Sequence, residues 1–430
     1  MRGLLLIILF FLLPCRGIFA QATVDIAAEI KAINSTVVGS GGNAVISNRA
    51  MNVFMADKTG YAGSSDDVSF FTNYVTFNST DGIFTVNHNF QIPKGIDEPL
   101  KNLFSVGFKA NINSIGAAFM DKHFDDELGI TLNYKWLGKV KTQANARQQQ
   151  SMNALRAALF YTLQSAIDKE IADFTIALDK TLATDIPGES MDSAKALMKQ
   201  NFYADLNEKY EALFASRQAE LLTKTVNFKK ISFGYTSFTA TIPIISPTYT
   251  VAPVISASFK QRHPYPLQLM LAHTRLWESG NRGRLFVTLS GGLLLNNSKL
   301  SYGLDKINAS SYKAMGGTDT STLAQKSKAY TGLYKTFVTP EVKARILYYP
   351  TNSHVGFSVM AEQHIGKDNL LIGRIGVPIV LINSQKTPVV DVECYIAFFD
   401  INHAVKNLQG RGSRTTVGVA VGIPFSRLMY

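Results

Sequence analysis

The chain has 430 residues and a formal net charge of +11, from 43 lysines and arginines against 32 aspartates and glutamates. Charged residues make up only 17% of it, which is low for a soluble domain. The basic excess does not by itself indicate nucleic-acid binding. No motif of interleaved basic and aromatic residues accompanies it, so we expect no nucleic-acid partner.

The first predicted element is a secretory signal peptide over residues 1–20. A basic residue precedes an unbroken apolar run over residues 4–13, and Ala20 provides a small side chain at the cleavage position. Cleavage after Ala20 would leave Cys394 as the one cysteine of the mature protein. We therefore expect neither an internal disulfide nor a structural zinc site.

After an N-terminal segment of residues 21–45, residues 46–138 are predicted to form the first part of a β-barrel. Apolar side chains alternate with polar ones, which is the period of a strand with one apolar face. The clearest example is residues 128–136, where Ile130 and Leu132 share a face. The predicted strands of this part are 46–56, 68–78, 82–92, 104–112 and 128–136.

Residues 139–228 break the alternation and are predicted to form an inserted α-helical antiparallel hairpin. Apolar residues recur every three or four positions in both halves of this segment, as on one face of a helix. Pro187 and Gly188 separate the halves, because proline cannot continue a helix and glycine permits a reversal. Each arm would extend about 50–60 Å at 1.5 Å per residue.

Residues 229–430 return to the alternating pattern and are predicted to form the second part of the barrel. The strands expected here are 229–242, 250–259, 266–277, 283–295, 341–349, 354–364, 370–382, 389–400 and 414–426. With the first part they give about fourteen strands. Short connections alternate with longer ones: 79–81, 350–353 and 383–387 are short, whereas 57–67, 296–340 and 401–413 are long. No other stretch is apolar enough for a membrane helix, so the chain would enter a membrane as strands.

The last predicted strand carries the strongest signal. Val417, Val419, Val421, Ile423 and Phe425 share one face of it. Together with the signal peptide and the unequal connections, this strand resembles those of Gram-negative outer-membrane β-barrel proteins.

That resemblance implies an all-β transmembrane barrel of about 14 antiparallel strands in the cell outer membrane. Its partners would be outer-membrane lipid and the barrel assembly machinery. In this family the last strand ends on an aromatic residue that guides assembly, which makes Phe425 and Tyr430 the candidates. A C-terminus in the periplasm, counted back through the predicted strands, would place the helical hairpin on the cell surface.

The face opposite the apolar series predicts what lines the barrel interior. Its charged members are Lys109, Lys135, Arg284, Lys343, Arg345, Glu362, Asp391 and Glu393. A basic majority in a confined aqueous path would favour anions. The alternative is that these charges pair across a packed interior that conducts nothing.

No catalytic, cofactor-binding or metal-binding residues are predicted, and we do not expect an enzyme. His364 shares a strand face with Glu362, but no nucleophile accompanies them in a recognisable motif. The acidic residues of the 120–127 segment lack the glycine and the spacing of a calcium-binding EF-hand.

Three functions are compatible with these patterns. The first is a porin-like channel or transporter for small solutes. The second is a surface interaction or adhesion protein, in which the barrel anchors the helical hairpin and the hairpin binds a partner. The third is a secreted soluble β protein with a coiled-coil insert, whose apolar strand faces would be buried in a sandwich.

Overall fold

The computed structural model describes residues 45–59, 72–80, 82–91, 100–111, 128–182, 189–246, 249–254, 259–311, 325–367, 369–383, 388–405 and 414–427. The predicted signal peptide, most of the N-terminal segment and Tyr430 lie outside these ranges.

The described residues form three helices and a series of strands. The helices are α1 (Asn48–Thr59), α2 (Ala146–Leu182) and α3 (Glu189–Thr225). The strands are β1 (Thr72–Asn78), β2 (Ile83–Gln91), β3 (Asn102–Asn111), β4 (Leu128–Leu137), β5 (Lys141–Gln143), β6 (Lys230–Ile245), β7 (Tyr249–Ala252), β8 (Lys260–Arg262), β9 (Gln268–Ser279), β10 (Gly283–Asn297), β11 (Asp305–Ser311), β12 (Gln325–Thr331), β13 (Thr336–Tyr349), β14 (Phe357–His364), β15 (Leu371–Ile382), β16 (Pro388–Phe398) and β17 (Thr415–Arg427).

Twelve of the strands form one closed antiparallel barrel. Their order around the barrel is β1, β2, β3, β4, β6, β9, β10, β13, β14, β15, β16 and β17, and β17 pairs with β1 to close it. The short strand β5 pairs with β6 and lies outside the ring. The prediction of a closed antiparallel barrel is confirmed, but the predicted number of about fourteen strands is wrong.

The first surplus strand, predicted at 46–56, falls largely in α1. Met51, Phe54, Met55 and Lys58 are all buried at successive spacings of three, one and three residues, which follows one face of a helix, whereas Phe54 and Met55 would point to opposite faces of a strand. The hydroxyl of Ser47 accepts a hydrogen bond from the Ala50 amide at 3.2 Å and caps the start of the helix.

The second surplus strand, predicted at 250–259, contributes only the four residues of β7. Pro253 follows directly and has no amide hydrogen to extend a ladder. β7 pairs with β8 and β12 in a separate four-stranded sheet of order β11-β12-β7-β8. Lys299 lies over the rings of Tyr249 and Tyr330 of this sheet, at 5.4 and 4.8 Å from their centroids.

The two ends of the barrel carry different connections. One end, the hairpin end, carries residues 138–229 with α2 and α3, the short connection 280–282, and the C-terminal end of β17. The other end, the loop end, carries the long connections 246–267 and 298–335, which contain the four-stranded sheet.

The expectation that the hairpin and the end of the last strand lie at opposite ends is therefore wrong. The backward count included residues 250–259 as a barrel strand, and one extra strand reverses the end assigned to everything before it. The short connection 79–82 moves to the loop end for the same reason. The other surplus strand, 46–56, precedes β1, so its removal changes the end assigned to no barrel strand, and with twelve strands β1 begins at the hairpin end, where β17 ends.

α2 and α3 pack against each other as antiparallel helices of 37 residues each. Phe160 meets Phe214 with ring centroids 6.2 Å apart, and Phe174 stacks on Phe202 at 3.8 Å. These contacts join the first half of each helix to the second half of the other. None of the described helices contains a stretch long and apolar enough to cross a membrane.

A polar cluster supports the middle of the hairpin. Lys209 and the Tyr210 hydroxyl both donate hydrogen bonds to Glu170 Oε1, at 2.6 and 2.8 Å. These two bonds hold the pKa of the Glu170 carboxyl below its ordinary value. The helices are thus joined by apolar packing on both sides of an ion pair.

α1 fills the hairpin end of the barrel. Phe54 and Met55 of this helix join one apolar cluster with inward side chains of six different strands, namely Leu103, Phe233, Leu276, Phe286, Leu347 and Val380. Met152, Ala219 and Leu222 at the base of the hairpin belong to the same cluster and cover α1 from outside. Packed side chains therefore close this end of the barrel.

Candidate functional site in the barrel interior

The barrel strands carry apolar side chains on the outside and charged side chains on the inside, which is the reverse of the arrangement in a soluble protein. Outward apolar side chains are exposed, as at Leu289 (59%) and Val417 (80%). Inward charged side chains are buried, as at Glu393 (0%) and Asp391 (1%). Exposed apolar side chains occur on strands all around the ring, for example Phe108, Phe238, Val342 and Ile375. Soluble proteins rarely present a contiguous apolar surface of this extent.

The barrel encloses a chamber in the half nearer the loop end. Its volume is about 330 Å³. Four basic side chains line it, namely Lys109, Lys343, Arg345 and Arg374, together with the acidic side chain of Glu362. Threonine, asparagine and glutamine side chains form much of the remaining wall. The chamber is therefore polar and mainly basic.

The eight charged residues predicted for the interior occupy different parts of it. Lys109, Lys343, Arg345 and Glu362 line the chamber. The other four are buried in the wall or at the hairpin end: Lys135, Arg284, Asp391 and Glu393. That these residues border a solute path stays a prediction.

One ion pair crosses the barrel interior at the floor of the chamber, which is its side nearer the hairpin end. Arg345 Nη2 donates a hydrogen bond to Glu393 Oε2 at 2.7 Å, and the Ser358 hydroxyl donates to the other carboxylate oxygen. Gly376 is required beside this carboxylate, because a Cβ there would lie 2.5 Å from Glu393 Oε1. The predicted pairing of charges across the interior thus occurs at Arg345, while three further basic side chains face the chamber.

A second charged cluster lies at the hairpin end, where α1 meets the wall. Arg284 Nε lies 2.5 Å from Glu278 Oε2, and Lys58 Nζ of α1 lies 3.7 Å from Glu278 Oε1. Burial lowers the pKa of the Lys58 ammonium from 10.5 to about 8, because the loss of water outweighs the attraction of the Glu278 carboxylate. α1 is therefore docked through a lysine that is costly to keep charged.

α1 is also attached to the hairpin. Arg49 Nη1 lies 2.5 Å from Glu211 Oε2 of α3, and both side chains are largely buried. The Ser47 amide donates a hydrogen bond to Gln218 Oε1 of α3 at 3.2 Å. The helix inside the barrel and the helices outside it thus share direct polar contacts.

Three potential metal ligands meet beside the chamber, and one of them, Glu362, lines it. Oxygen or nitrogen atoms of Glu341, Glu362 and His364 all lie within 4.8 Å of one another. His364 Nε2 and Glu362 Oε1 are 3.0 Å apart, which agrees with their predicted common face. The carboxylate of Glu341 is contributed by the neighbouring strand β13.

Sequence reasoning missed Arg374, Glu341 and the whole contribution of α1. Both faces of β15 are apolar along much of the strand, with Ile372 and Val380 inward and Ile375 outward. Alternation therefore does not show that Arg374 points into the barrel. Strand alternation would have placed Glu341 inward beside Lys343. Only the register of β13 with β14 reveals its proximity to His364.

The remaining predicted residues lie in or beyond β17. Phe425 belongs to this strand, and Tyr430 lies outside the described residues. Cys394 is exposed on β16, next to Val419 of β17 in the strand register. No protein-family model matches this sequence, and no curated protein matches it.

Proposed function

We propose that this protein is an outer-membrane β-barrel whose chamber admits small anionic solutes, with α1 as a plug at one end. The observation that carries this proposal is the reversed polarity of the barrel, apolar outside and charged inside. In water such an outer surface would be unfavourable, whereas in a bilayer it buries apolar area in the hydrocarbon region.

The charge of the chamber supports the choice of solute. Four basic side chains and one acidic side chain line it, and Glu393 below the floor neutralises one of the basic groups. In a confined space with low-dielectric walls, an excess of positive charge raises the local concentration of anions. The polar wall provides donors and acceptors that replace lost water around a solute.

The packing of α1 supports a gated passage over a permanently open pore. The chamber lies toward the loop end, whereas the apolar cluster around Phe54 and Met55 closes the hairpin end. A solute that crosses the whole barrel therefore requires α1 to move. With the orientation usual for the family, the hairpin end faces the periplasm, and the hairpin reaches about 55 Å into it.

Planar-bilayer recordings on the purified protein test this function. The wild type should show rare, brief openings, and the Phe54→Ala/Met55→Ala variant should conduct for much longer, because its plug loses several kcal/mol of packing, about 3–5 for the Phe alone. Phe202→Ala is the matched control, since this phenylalanine lies in the hairpin against Phe174. Absence of conductance from both variants and the wild type would refute a passage.

The hairpin supports a second candidate function, the binding of a periplasmic protein. Ile176, Leu197 and Met198 are exposed apolar side chains in its distal half, away from α1. Replacing all three by serine leaves the base of the hairpin intact. Loss of a cross-linked partner in cells, with unchanged conductance in bilayers, would support an anchoring role for the barrel.

A further inference from the structure

Glu341, Glu362 and His364 form a compact cluster, of which Glu362 also lines the chamber. Glu341 and His364 face each other in the register of β13 with β14, and Glu362 lies two residues before His364 on the same face. Two carboxylates and one imidazole therefore point into one space from adjacent, hydrogen-bonded strands. Such strands hold side chains more rigidly than a loop would.

We propose that this cluster binds a divalent transition-metal cation, with Zn²⁺ as the reference ion. Zinc lies about 2.0–2.2 Å from histidine nitrogen and carboxylate oxygen, so tetrahedral ligands are roughly 3.3 Å apart. His364 Nε2 and Glu362 Oε1 already lie 3.0 Å apart, and the third ligand atom lies within 4.8 Å. Rotation of the Glu341 side chain closes the remaining gap.

The surroundings of Glu341 favour this role. Gln268 Nε2 donates a hydrogen bond to Glu341 Oε1 at 2.6 Å, as the outer partners of metal-binding carboxylates do. A Cβ at Gly292 would lie 2.6 Å from the Leu269 carbonyl oxygen and 3.0 Å from Glu341 Oε1, so the glycine leaves room for both groups. Glu341 itself is almost fully buried.

The ligand set selects the class of metal. One imidazole with two carboxylates suits zinc, manganese or ferrous iron, whereas calcium requires six to eight oxygen ligands. Lys343 and Arg374 interact electrostatically with Glu362 and compete with a cation for it. We therefore expect moderate affinity.

Titration calorimetry with ZnCl₂ on the full-length, untagged protein after treatment with a chelator tests the site. One equivalent should bind to the wild type, and His364→Ala and Glu341→Gln should each abolish that binding. Gln268→Ala should weaken the affinity about tenfold, because it removes an outer partner and not a ligand. His403→Asn is the control, since this histidine is exposed and asparagine tolerates its positive φ.

Two further measurements keep the result interpretable. Heat-modifiable migration on a denaturing gel shows whether each variant still forms the barrel. X-ray absorption of the zinc-loaded protein should show nitrogen and oxygen neighbours without sulfur, which excludes Cys394 as the ligand. Folded protein without zinc binding, or binding that persists in His364→Ala, would overturn the proposal. Zinc binding is measured independently of conductance, so a barrel that does not conduct would leave the proposed metal site unaffected.

Discussion

Arg49 of α1 and Glu211 of α3 form an ion pair of 2.5 Å that joins the helix within the barrel to the hairpin outside it. Because both side chains are largely buried, the pair resists exchange with water. Any displacement of α3 relative to the barrel therefore acts directly on α1.

Breaking this pair should loosen the plug. Arg49→Ala and Glu211→Ala should each weaken the docking of α1 by about 2 kcal/mol, which corresponds to a roughly 30-fold increase in the open fraction in bilayer recordings. The double variant should open little more than either single one, since the two residues act through one contact. Arg217→Ala, which breaks an exposed pair with Glu220 on the same helix, should have no effect. Additive effects of Arg49 and Glu211 would disprove the coupling.

The docking of α1 should strengthen at alkaline pH. The pKa of Lys58 is about 8 in the folded protein, below its ordinary value of 10.5, so the unfolded or undocked state binds more protons between these values. The free energy of docking should therefore rise as the pH rises through 8 toward 10.5. Open fractions recorded from pH 7 to pH 10 should fall for the wild type. Lys58→Met should remove this trend, and a trend that persists in it would assign the effect to another group.

The chamber should lose anion preference when its basic residues are neutralised. Lys109→Gln removes one positive charge from the wall, which is worth ~1 kcal/mol for a solvated ion at 4 Å, so the anion-to-cation permeability ratio should fall about fivefold. Reversal potentials in asymmetric salt measure this ratio, in a background with Phe54→Ala to keep the pore open. Lys169→Gln, an exposed lysine of α2, is the control. An unchanged ratio in Lys109→Gln would place the selectivity elsewhere.

A charge on the outer face should be costly only if lipid surrounds the barrel. Leu289 lies at the middle of β10, and Leu289→Arg should reduce the free energy of unfolding by about 2–4 kcal/mol in a bilayer. Ile176→Arg in α2 is the matched control, because Ile176 is 62% exposed on a helix that we place in water. Denaturant unfolding from lipid vesicles measures both. Equal, near-zero effects would favour the soluble β protein.

Strand alternation predicted most of the barrel because one face of nearly every strand is apolar. The strand starting near Leu128, for example, was recognised with both faces correctly separated, and β4 spans Leu128–Leu137. Alternation does not identify a segment that lacks one outward and one inward face. In α1, polar side chains such as Arg49 and Lys58 are buried as well as apolar ones such as Phe54, so the helix does not show the separate polar and apolar faces of an amphipathic helix.

The interior could be predicted only in part, for a related reason. Phase along a strand indicates which residues point inward, and it identified Lys343 and Glu362 as members of the same face. It does not give the register between strands, which brings Glu341 opposite His364. Nor does phase show that a segment far upstream in the chain, with Lys58, completes the packing around Glu278.

The pairing of β1 with β17 has a consequence for the order of folding. These neighbours come from opposite ends of the described sequence, so the ring has no closed intermediate before the last strand arrives. Until then β1 and β16 are open edges that can pair with other chains and aggregate. The helical hairpin, whose contacts lie within one continuous segment, can form much earlier. The edges of β1 and β16 must therefore be protected until the last strand, Thr415–Arg427, has joined the sheet.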